Sequence, residues 1–197
     1  MKRVAVMGGS CVGKTTVSYR LADILGVTHI ELDALHHDPG WQEAPAELLQ
    51  ERVRAAFDAA PDGWVADGNY HSKLGTLVLD HADTAVHLAP PFGVTFARSL
   101  RRTIGRTITR EELYNGNREE IHFLFTRYWI PWWVLRTHRR YGREIPARVA
   151  EHPHIELVTL RSDDEIERWL QSIQATDSTS GSSNGSERQN TPPFVET

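Results

Sequence analysis

Cysteine is nearly absent from the sequence, and this excludes two common ways of holding a chain together. Cys11 is the single cysteine among 197 residues, so neither an internal disulfide nor a zinc site of several cysteines can form. No stretch approaches the roughly 18 consecutive apolar residues that a membrane helix needs. The first residues also lack the pattern of a signal peptide. We therefore expect a protein of the reducing cytoplasm without a membrane-spanning segment.

Lysine is scarce as well, and arginine carries most of the positive charge. The formal charge of the chain is −4, which argues against a general nucleic-acid binder. The charge is unevenly distributed, because residues 98–143 hold eleven arginines against four glutamates, a formal charge of +7. The rest of the chain then carries about −11. The function has to account for this basic segment.

Short apolar runs alternate with amphipathic segments along most of the chain. The runs predict five strands, at 3–7, 28–32, 63–67, 83–88 and 154–160. Helices are predicted between them, with a long, arginine-rich and mainly helical region at 91–143. Strands that alternate with helices predict an α/β fold with a parallel sheet covered on both faces. Residues 175–197 are rich in Ser, Thr, Gly, Asn and Pro and predict a disordered tail.

Three of the predicted helices have recognisable boundaries or faces. Pro45 opens one over 45–60, and Ser162 with Glu165 has capping-box spacing at the start of another over 162–173. A third segment carries apolar residues at helical spacing, which predicts a helix packed on the core and kinked near Pro131. This stripe consists of Ile121, Leu124, Phe125, Tyr128, Trp132 and Leu135.

Glycines and a lysine directly after the first predicted strand have the spacing of a phosphate-binding loop, the Walker A pattern. Four residues separate Gly8 from Gly13, and Lys14 and Thr15 follow where the next helix begins. Glycines let successive N–H groups point at phosphate oxygens, and the helix adds its positive N-terminal end. In this arrangement Lys14 reaches the β- and γ-phosphates and Thr15 ligates magnesium. The expected nucleotide contacts are Gly8, Gly9, Ser10, Cys11, Val12, Gly13, Lys14, Thr15 and Thr16.

A phosphate loop identifies a nucleotide site but not a reaction. The sequence has no Asn-Lys-x-Asp signature of guanine recognition, and it is short for a motor ATPase. A small kinase needs three further parts, which are an acidic group near the acceptor, a second carboxylate for magnesium and a mobile cationic lid. The sequence offers a candidate for each part.

The acceptor part has its candidate in residues 29–41, HIELDALHHDPGW. Ligands of a parallel sheet lie beyond the carboxyl ends of its strands, and Asp33 comes directly after the second predicted strand. Asp33 is therefore well placed to hold an acceptor hydroxyl or to take its proton. His36 and His37 either bind the acceptor or only cap and pack, and Trp41 either anchors the loop or walls the pocket. A metal site of Asp33 and His36 would lack a visible third ligand.

The second carboxylate is Asp67, which ends the third predicted strand and precedes Gly68. An apolar strand that ends in a carboxylate beside a phosphate loop suits a magnesium ligand, and the alternative is an ordinary Asp-Gly turn. With Thr15, Asp67 makes up the predicted metal site. The predicted substrate contacts are Asp33, His36, His37, Trp41, Asp67, Gly68, Asn69 and Tyr70.

The arginine-rich segment supplies the lid, at about 98–120. Arg102, Arg106 and Arg110 recur every four residues, so they share one face of a helix. Arginine matches the negative charge that spreads over the oxygens of a transferring phosphoryl group. These three arginines are therefore candidate catalytic residues together with Lys14 and Asp33. The alternative is a solvated basic surface.

Taken together, these segments resemble the adenylate-kinase-like small P-loop kinases, and among them most closely the FlaR-like "DNA topology modulation" proteins. The resemblance covers about residues 3–173 and rests on GGSCVGKTT, ELDALHHDPGW, WVADGNY, ADTAVHLAPPFGVTFARSLRRT and GNREE. It implies a P-loop NTPase three-layer sandwich with a five-stranded parallel sheet of order 2-3-1-4-5, and an arginine-rich lid after the fourth strand. It also implies ATP and Mg²⁺ as cofactors, and Arg161 lying against adenine. The kinase domain would span 1–174, followed by the tail at 175–197.

Two motifs depart from the nucleoside-monophosphate kinases. Those kinases usually carry an arginine shortly after the Asp-Gly of strand three, where this chain reads DGNYH at 67–71. Their lid has a Gly-Arg-x-Asp-Asp run, where this chain has NGNREE at 115–120. An aspartate directly after strand two is typical instead of relatives that phosphorylate a hydroxyl, such as shikimate or gluconate kinases. The acceptor, a nucleoside monophosphate or a small hydroxylated metabolite, stays open.

The sequence therefore predicts a kinase that moves the γ-phosphate of Mg–ATP to a small-molecule acceptor. We expect a monomer or homodimer without membrane or nucleic-acid partners. One alternative is a nucleotide-binding regulator that contacts DNA, for which the basic segment is the support. Another is an ATPase or nucleotide sensor without an acceptor.

Overall fold

The protein is described by a computed structural model over residues 1–109, 115 and 130–182, apart from the side chains of 106–109 and 177–182. Its strands are β1 (Arg3–Gly8), β2 (Thr28–Glu31), β3 (His37–Asp38), β4 (Gln42–Glu43), β5 (Trp64–Asp67), β6 (Thr84–Leu88) and β7 (Glu156–Leu160). Its helices are α1 (Lys14–Leu25), α2 (Leu32–His36), α3 (Ala46–Asp58), α4 (His71–Leu74), α5 (Leu77–His81), α6 (Phe92–Thr109), α7 (Ile130–Ala150) and α8 (Asp163–Ser182). Among these helices, none is both long enough and apolar enough to cross a membrane.

The central sheet has five parallel strands in the order β2-β5-β1-β6-β7, which confirms the predicted order 2-3-1-4-5. The register places Glu31 opposite Asp67 at the carboxyl ends of β2 and β5, and Met7 opposite His87 in β1 and β6. Because β1 is central, the loop that follows it lies between two pairs of strands. One is formed by β2 and β5, and the other by β6 and β7.

Helices cover both faces of the sheet, because alternate strand residues are apolar on each side. One cluster contains Val4, Val6 and Leu21, together with Leu170 of α8. The other contains Ala5, Met7, Leu49 and Ile145, and Trp64, whose ring stacks on Phe57 at 4.2 Å. Each fully buried side chain of this kind contributes roughly 1.5–3 kcal/mol of transfer free energy. The result is the predicted three-layer α/β sandwich.

The last helix begins as predicted but ends later. The Ser162 hydroxyl accepts the Glu165 N–H at 3.2 Å, which is the expected cap. Helix α8 then runs to Ser182, so the predicted tail boundary at residue 175 falls inside the helix. A formed helix gains one backbone hydrogen bond for each residue it adds, without needing a buried face. The Thr176 hydroxyl adds a bond to the Ser172 carbonyl at 2.9 Å. Residues 183–197 of the predicted tail lie outside the described residues.

Helix α7 corrects one expectation and leaves another as a prediction. The described part of the helix begins at Ile130, and the residues directly before it lie outside the described part of the chain, so the kink near Pro131 stays a prediction. Its buried face includes Val134, Ile145 and Val149. The predicted stripe is not that face, because Trp132 and Leu135 are 45% and 50% exposed. The other four members of the stripe lie outside the described residues.

Candidate active site

Gly8 is the residue at which β1 leaves the sheet and the phosphate loop begins. Its φ of 154° is accessible to glycine, and a Cβ there would lie 2.7 Å from the Leu88 carbonyl oxygen and 2.8 Å from Val12 Cγ2. Asn69, which follows β5, makes two hydrogen bonds with the backbone of Gly8. The Gly8 N–H donates to Asn69 Oδ1 at 3.3 Å, and Asn69 Nδ2 donates to the Gly8 carbonyl. Asn69, a predicted acceptor contact, therefore binds the phosphate loop.

The rest of the loop curls through left-handed backbone at Cys11 (φ 63°) and Gly13 (φ 96°). Gly13 is the N-cap of α1, and its carbonyl accepts the Val17 N–H at 3.1 Å. The first N–H groups of a helix have no intrahelical partner, so those of α1 are free to bind an anion at the loop. Lys14 reaches back across the loop and donates to the Gly9 carbonyl at 2.9 Å. The loop thus has the geometry of a phosphate cradle.

Lys14 is the electrostatic centre of the site. Burial lowers the pKa of its ammonium group, and the nearby charge of Arg102 lowers it further. Asp33 and Asp67 act in the opposite direction and favour the charged form. These four residues were predicted from separate segments of the sequence, and the fold brings the other three close enough to Lys14 to influence its pKa. Arg102 is exposed on α6, on the side that faces the loop.

Hydroxyl and carboxylate oxygens gather where β2 and β5 end beside α1. The Thr15 hydroxyl donates to Glu31 Oε1 at 3.4 Å, and Glu31 lies opposite Asp67 in the sheet. Asp67 is 2% exposed. Its Oδ2 has no hydrogen-bond partner in the described part of the chain, while Oδ1 lies 3.7 Å from His29 Nε2. A buried, unsatisfied carboxylate oxygen needs a partner such as a metal ion or its waters.

This arrangement fits magnesium. Mg²⁺ prefers oxygen ligands, keeps several waters and uses few protein side chains. Within the described residues there is no cluster of three His, Cys, Asp or Glu that would suit a fully protein-bound metal. Thr15 and Asp67 are the predicted ligands, and Glu31 is a further candidate that the sequence analysis did not name. The signal was its place as the last residue of β2, two residues before Asp33.

Asp33 lies in the first turn of α2, two residues beyond β2 and not directly after it. The Tyr70 hydroxyl donates to Asp33 Oδ1 at 2.5 Å and lies 3.4 Å from His37 Nε2. We call Asp33, His37 and Tyr70 the acceptor floor. All three are partly exposed, so the floor is open to a ligand. The hydrogen bond from Tyr70 fixes the orientation of the Asp33 carboxylate.

His36 packs against the rings of the acceptor floor. It is 3% exposed, and its ring centroid lies 4.6 Å from that of His37 and 4.5 Å from that of Tyr70. Its Nε2 atom is 3.5 Å from the Lys73 ammonium and 3.6 Å from the Glu43 carboxylate. Burial lowers the pKa of this imidazole, and the Lys73 charge adds to the effect. Of the two roles considered for His36, packing is therefore the one its surroundings favour.

The loop around the floor is a small hairpin that the sequence did not predict. Strands β3 and β4 pair across a turn at Pro39–Trp41, with Gly40 at φ 76° and Trp41 at φ 57°. The Trp41 ring meets His37 edge-on at 5.4 Å. Asn115 donates to the carbonyls of Ala34 at 3.1 Å and of His37 at 2.6 Å. The acceptor loop is thus held by a residue that lies 78 positions further along the chain.

The remaining predicted site residues lie outside the phosphate loop and the acceptor floor, or outside the described residues. Gly68 (φ 145°) lets β5 pass α2, because a Cβ there would lie 2.9 Å from Leu32 Cβ. The Arg161 N–H donates to Glu165 Oε2 at 2.7 Å. Burial lowers the pKa of His87, and the charge of the exposed Arg161 side chain lowers it further. The predicted contact of Arg161 with adenine stays a prediction. Arg106 lies in α6 without a described side chain, and Arg110 lies outside the described residues.

A cavity that the sequence did not predict adjoins the phosphate loop. It has a volume of about 210 Å³ and lies between the loop, the end of β6 and helix α7. Gly9, His87, Pro90, His138 and Tyr141 are among its lining residues. The wall opposite the loop comes from α7, which sequence patterns could not place against β6.

Comparisons with known proteins give a fold but no family. No family model matches the chain, and no curated protein matches it significantly. Solved structures do match. A shikimate kinase from Acinetobacter baumannii, in complex with shikimate, is 15% identical, with a TM-score of 0.52 over 91% of this chain and 94% of that chain. A shikimate kinase from Bacteroides thetaiotaomicron is 14% identical, with a TM-score of 0.51 over 90% of this chain and 98% of that chain.

At these identities the likeness concerns the fold. The chain has the α/β fold of small P-loop kinases, with the five-stranded parallel sheet that the sequence predicted. The predicted closeness to FlaR-like proteins stays a prediction.

Proposed function

We propose that the protein is a kinase that transfers the γ-phosphate of Mg–ATP to a small-molecule acceptor. One observation carries the proposal. Lys14 at the start of α1, Asp33 just beyond β2 and Asp67 at the end of β5 lie at the carboxyl edge of the sheet, and their charges and that of Arg102 act on the pKa of the Lys14 ammonium group. Ligands of open α/β sheets bind at this edge. A cradle, a metal ligand, an acceptor carboxylate and a cation at one point are the parts that phosphoryl transfer needs.

On the donor side, the loop N–H groups and Lys14 would bind the β- and γ-phosphates. Thr15, Asp67 and Glu31 would hold magnesium, directly or through its waters. The ion would neutralise charge on the phosphate oxygens and orient them. Arg102 would stabilise the negative charge of the transferring group, with Arg106 and Arg110 as further candidates from the lid.

On the acceptor side, Asp33 would accept the proton of the attacking hydroxyl. The Tyr70 hydrogen bond at 2.5 Å supports this role, because it holds the carboxylate in one orientation. His37 and Trp41 would line the acceptor, whereas His36 and Asn69 would support the floor and the loop.

Finer assignments stay proposals. The resemblance favours an adenylate-kinase-like enzyme near the FlaR-like proteins, while the two solved structures named above are shikimate kinases. The resemblance and the solved structures point to different acceptors, so the acceptor has to be found by experiment. A cytoplasmic location and a monomer or homodimer remain predictions.

The test is ADP release by the full chain from Mg–ATP across a panel of nucleosides, nucleoside monophosphates and polyhydroxy compounds. Lys14→Ala and Asp33→Asn are assayed beside the wild type, with Asp58→Asn as a control because Asp58 is exposed at the end of α3. We expect at least one acceptor to raise ADP release and both site variants to lose the stimulation. ADP release that no acceptor changes, with Asp33→Asn silent, would favour the ATPase or sensor alternative.

The alternative of a DNA-contacting regulator rests on the +7 charge of residues 98–143. If it held, DNA affinity would fall steeply with salt, because phosphate contacts release counterions. A binding titration of duplex DNA at two salt concentrations decides this. We expect no binding at physiological salt.

A further inference from the structure

We infer that Asn69 is a positioning residue that couples the phosphate loop to the acceptor floor, so that a nucleotide bound at the loop orders the floor for its acceptor. The inference rests on the proposed kinase function and concerns how its two substrate sites act on each other. It comes from residues 68–70, which we call the bridge segment, and from the contacts that they make in opposite directions.

One end of the bridge segment holds the phosphate loop. In the sheet, Val6 of β1 lies opposite Asp67 of β5. The same register continued by two residues places Gly8 opposite Asn69. Strand β5 has already ended there, and the Asn69 side chain takes the place of the missing strand. Its amide oxygen accepts the Gly8 N–H at 3.3 Å, and its amide nitrogen donates to the Gly8 carbonyl. One side chain thus binds both polar backbone groups of the first loop residue.

The other end of the bridge segment holds the acceptor floor. The Tyr70 hydroxyl donates to Asp33 Oδ1 at 2.5 Å, and the Tyr70 ring lies 4.5 Å from that of His36. Tyr70 is also the N-cap of α4, where its carbonyl accepts two N–H groups at 2.9 and 2.8 Å. Because Asn69 and Tyr70 are adjacent in the chain, restricting the position of one restricts the other.

Gly68 is tightly packed between the two substrate sites. Its N–H donates to the Val6 carbonyl at 3.3 Å, which ties it to β1. On its other side a Cβ would lie 2.9 Å from Leu32 Cβ, in the same helix α2 that carries Asp33. A close-packed segment transmits displacements because it has no void in which to absorb them. The bridge segment therefore connects β1 and the loop to α2 and the floor.

A bound nucleotide restricts the motion of the loop, because its phosphates engage the N–H groups there. The restriction at Gly8 extends to Asn69 through two hydrogen bonds and to Tyr70 through one peptide unit. An acceptor that then binds to the floor has less conformational entropy left to remove, so it binds more tightly. By linkage, the acceptor strengthens nucleotide binding by the same factor. The expected relation between the two substrates is positive cooperativity.

Other contacts also join the floor to the rest of the site and have to be separated from this route. The Thr15 hydroxyl donates to Glu31 at 3.4 Å, and this contact ends at the proposed metal site. Asn115, in the predicted lid, donates to the Ala34 and His37 carbonyls. Neither contact includes the bridge segment, so variants of Asn69 and Asn115 distinguish the routes.

The experiment measures hydrogen exchange of the full chain by mass spectrometry, with and without saturating Mg–ADP. ADP lacks the phosphate that would be transferred, so protection of the floor would not come from that group. Exchange at residues 9–20 reports whether the loop is occupied, and exchange at residues 31–44 reports opening of the floor. The floor amides include that of His37, bonded to the Asp33 carbonyl, and that of Ala44, bonded to the His36 carbonyl at 2.8 Å. The identity of the acceptor is not needed.

We expect Mg–ADP to slow exchange in the wild-type floor by at least about fivefold, the lower end of coupling between sites. In Asn69→Ala the loop should still be protected, whereas the response of the floor should be lost. Gln50→Ala is the matched control, because Gln50 is also partly exposed and donates to the Lys73 carbonyl of α4 at 2.8 Å, beyond the bridge segment. It should keep the wild-type response. Asn115→Ala should reduce the response less than Asn69→Ala does.

Tyr70→Phe gives a second reading if Asn69→Ala does not fold or does not bind Mg–ADP. It keeps the bonds from Asn69 to Gly8 and removes the bond to Asp33. We expect the loop to be protected in this variant and the response of the floor to be lost.

A floor response that survived in Asn69→Ala, or in Tyr70→Phe where Asn69→Ala cannot be measured, would overturn the inference and leave the kinase proposal intact. A wild-type loop that Mg–ADP protects without any response of the floor would do the same. A loss in Gln50→Ala or Asn115→Ala as large as that in Asn69→Ala would also overturn it, because the effect would not be specific to the bridge segment. If Mg–ADP did not protect the wild-type loop, there would be no nucleotide site, and both the inference and the kinase proposal would fail.

Discussion

The two halves of the candidate site are held by different means. On the donor side the phosphate loop takes its shape from its own backbone, with left-handed or glycine-only conformations at Gly8, Cys11 and Gly13. On the acceptor side the floor takes its shape from side chains, such as Tyr70 on Asp33 and His36 beneath both. A backbone-held site can keep one ligand in all its relatives, whereas a site held by side chains can change its ligand with a few substitutions. The donor is thus the constrained half and the acceptor the variable one.

The largest effect should come from the donor half. Replacing Lys14 with alanine removes the cation that would hold the transferring phosphate, so we expect kcat to fall by about 10²–10³-fold. The measurement is ADP release under saturating Mg–ATP. Lys2→Ala, which changes an exposed lysine at the other end of β1, should keep full activity. If the kcat of Lys14→Ala stayed within threefold of the wild-type value, Lys14 would not hold the transferring phosphate, and the comparison of the two halves would lose its functional basis.

Asp33→Asn should separate the two halves. We expect acceptor-dependent turnover to fall by about 10²-fold, because general-base contributions have this size, while ATP affinity stays unchanged. Equilibrium binding of a fluorescent ATP analogue and initial rates with the acceptor provide the two readings. A loss of nucleotide affinity equal to the loss of rate would mean that Asp33 serves the donor half.

Gly8→Ala tests whether the loop is held by its backbone. The new Cβ would meet the Leu88 carbonyl at 2.7 Å at a φ of 154°, so we expect a loss of about 2–3 kcal/mol in the free energy of unfolding. Urea denaturation measures it. The matched change Gly93→Ala, in α6 with nothing within 4 Å of the new Cβ, should be neutral or slightly stabilising. Equal effects at the two glycines would contradict the account of the loop.

Tyr70→Phe tests whether the floor is held by a side-chain hydrogen bond. The variant keeps the ring on His36 but removes the hydroxyl that donates to Asp33. We expect a loss of about 1–2 kcal/mol in stability, the range of a partly exposed bond to a charged group. In an Asp33→Ala background the same change should have little effect, because the partner is gone. Additive losses in this double-mutant cycle would show that the two side chains act independently.

The smallest effect belongs to a carboxylate outside both halves. Asp83 accepts the N–H groups of Lys2 at 2.7 Å and Arg3 at 2.9 Å where β1 begins. Burial raises the pKa of Asp83, but the Thr84 hydroxyl and these N–H groups lower it more, so the net shift is downward.

A depressed folded pKa adds stability above the ordinary carboxyl pKa, and that stability is lost as pH falls through the folded value. Asp83→Asn should therefore cost about 1 kcal/mol near neutral pH and less at a pH well below the ordinary carboxyl pKa. Urea unfolding at both pH values measures this, with ATP affinity unchanged. A cost that stayed the same at both pH values would mean that the charge of Asp83 plays no part.

The sequence predicted the loop between β1 and α1 well, because the determinants of its conformation are local. Gly8, Gly13, Lys14 and Thr15 lie within eight positions of one another, and each has a steric or electrostatic reason for its place. The strand order was predicted from the resemblance. The sequence did not show that Asn69 bonds to Gly8, because the two residues lie 61 positions apart and have no local signature.

For the acceptor half, the sequence predicted which residues lie there but not the contacts between their side chains. Asp33 and Tyr70 were both assigned to it, but their hydrogen bond joins residues 37 positions apart. Spacing alone did not show that His36 would be buried while His37 stayed partly exposed. Glu31 was overlooked because a glutamate at a strand end is unremarkable until the register places it opposite Asp67. Such facts depend on packing between distant segments, which periodicity does not encode.

The central position of β1 has a consequence for the order in which the molecule can form. Its partners β5 and β6 begin about 60 and 80 residues later in the chain, and Gly8 bonds to Asn69 and lies opposite Leu88 of β6 in the sheet. The phosphate loop is therefore synthesised before the strands that shape it and is among the last segments of this domain to acquire its shape, because contacts between residues far apart in sequence form slowly. A nascent chain that ends before Thr84 would carry the complete loop sequence without a formed phosphate site.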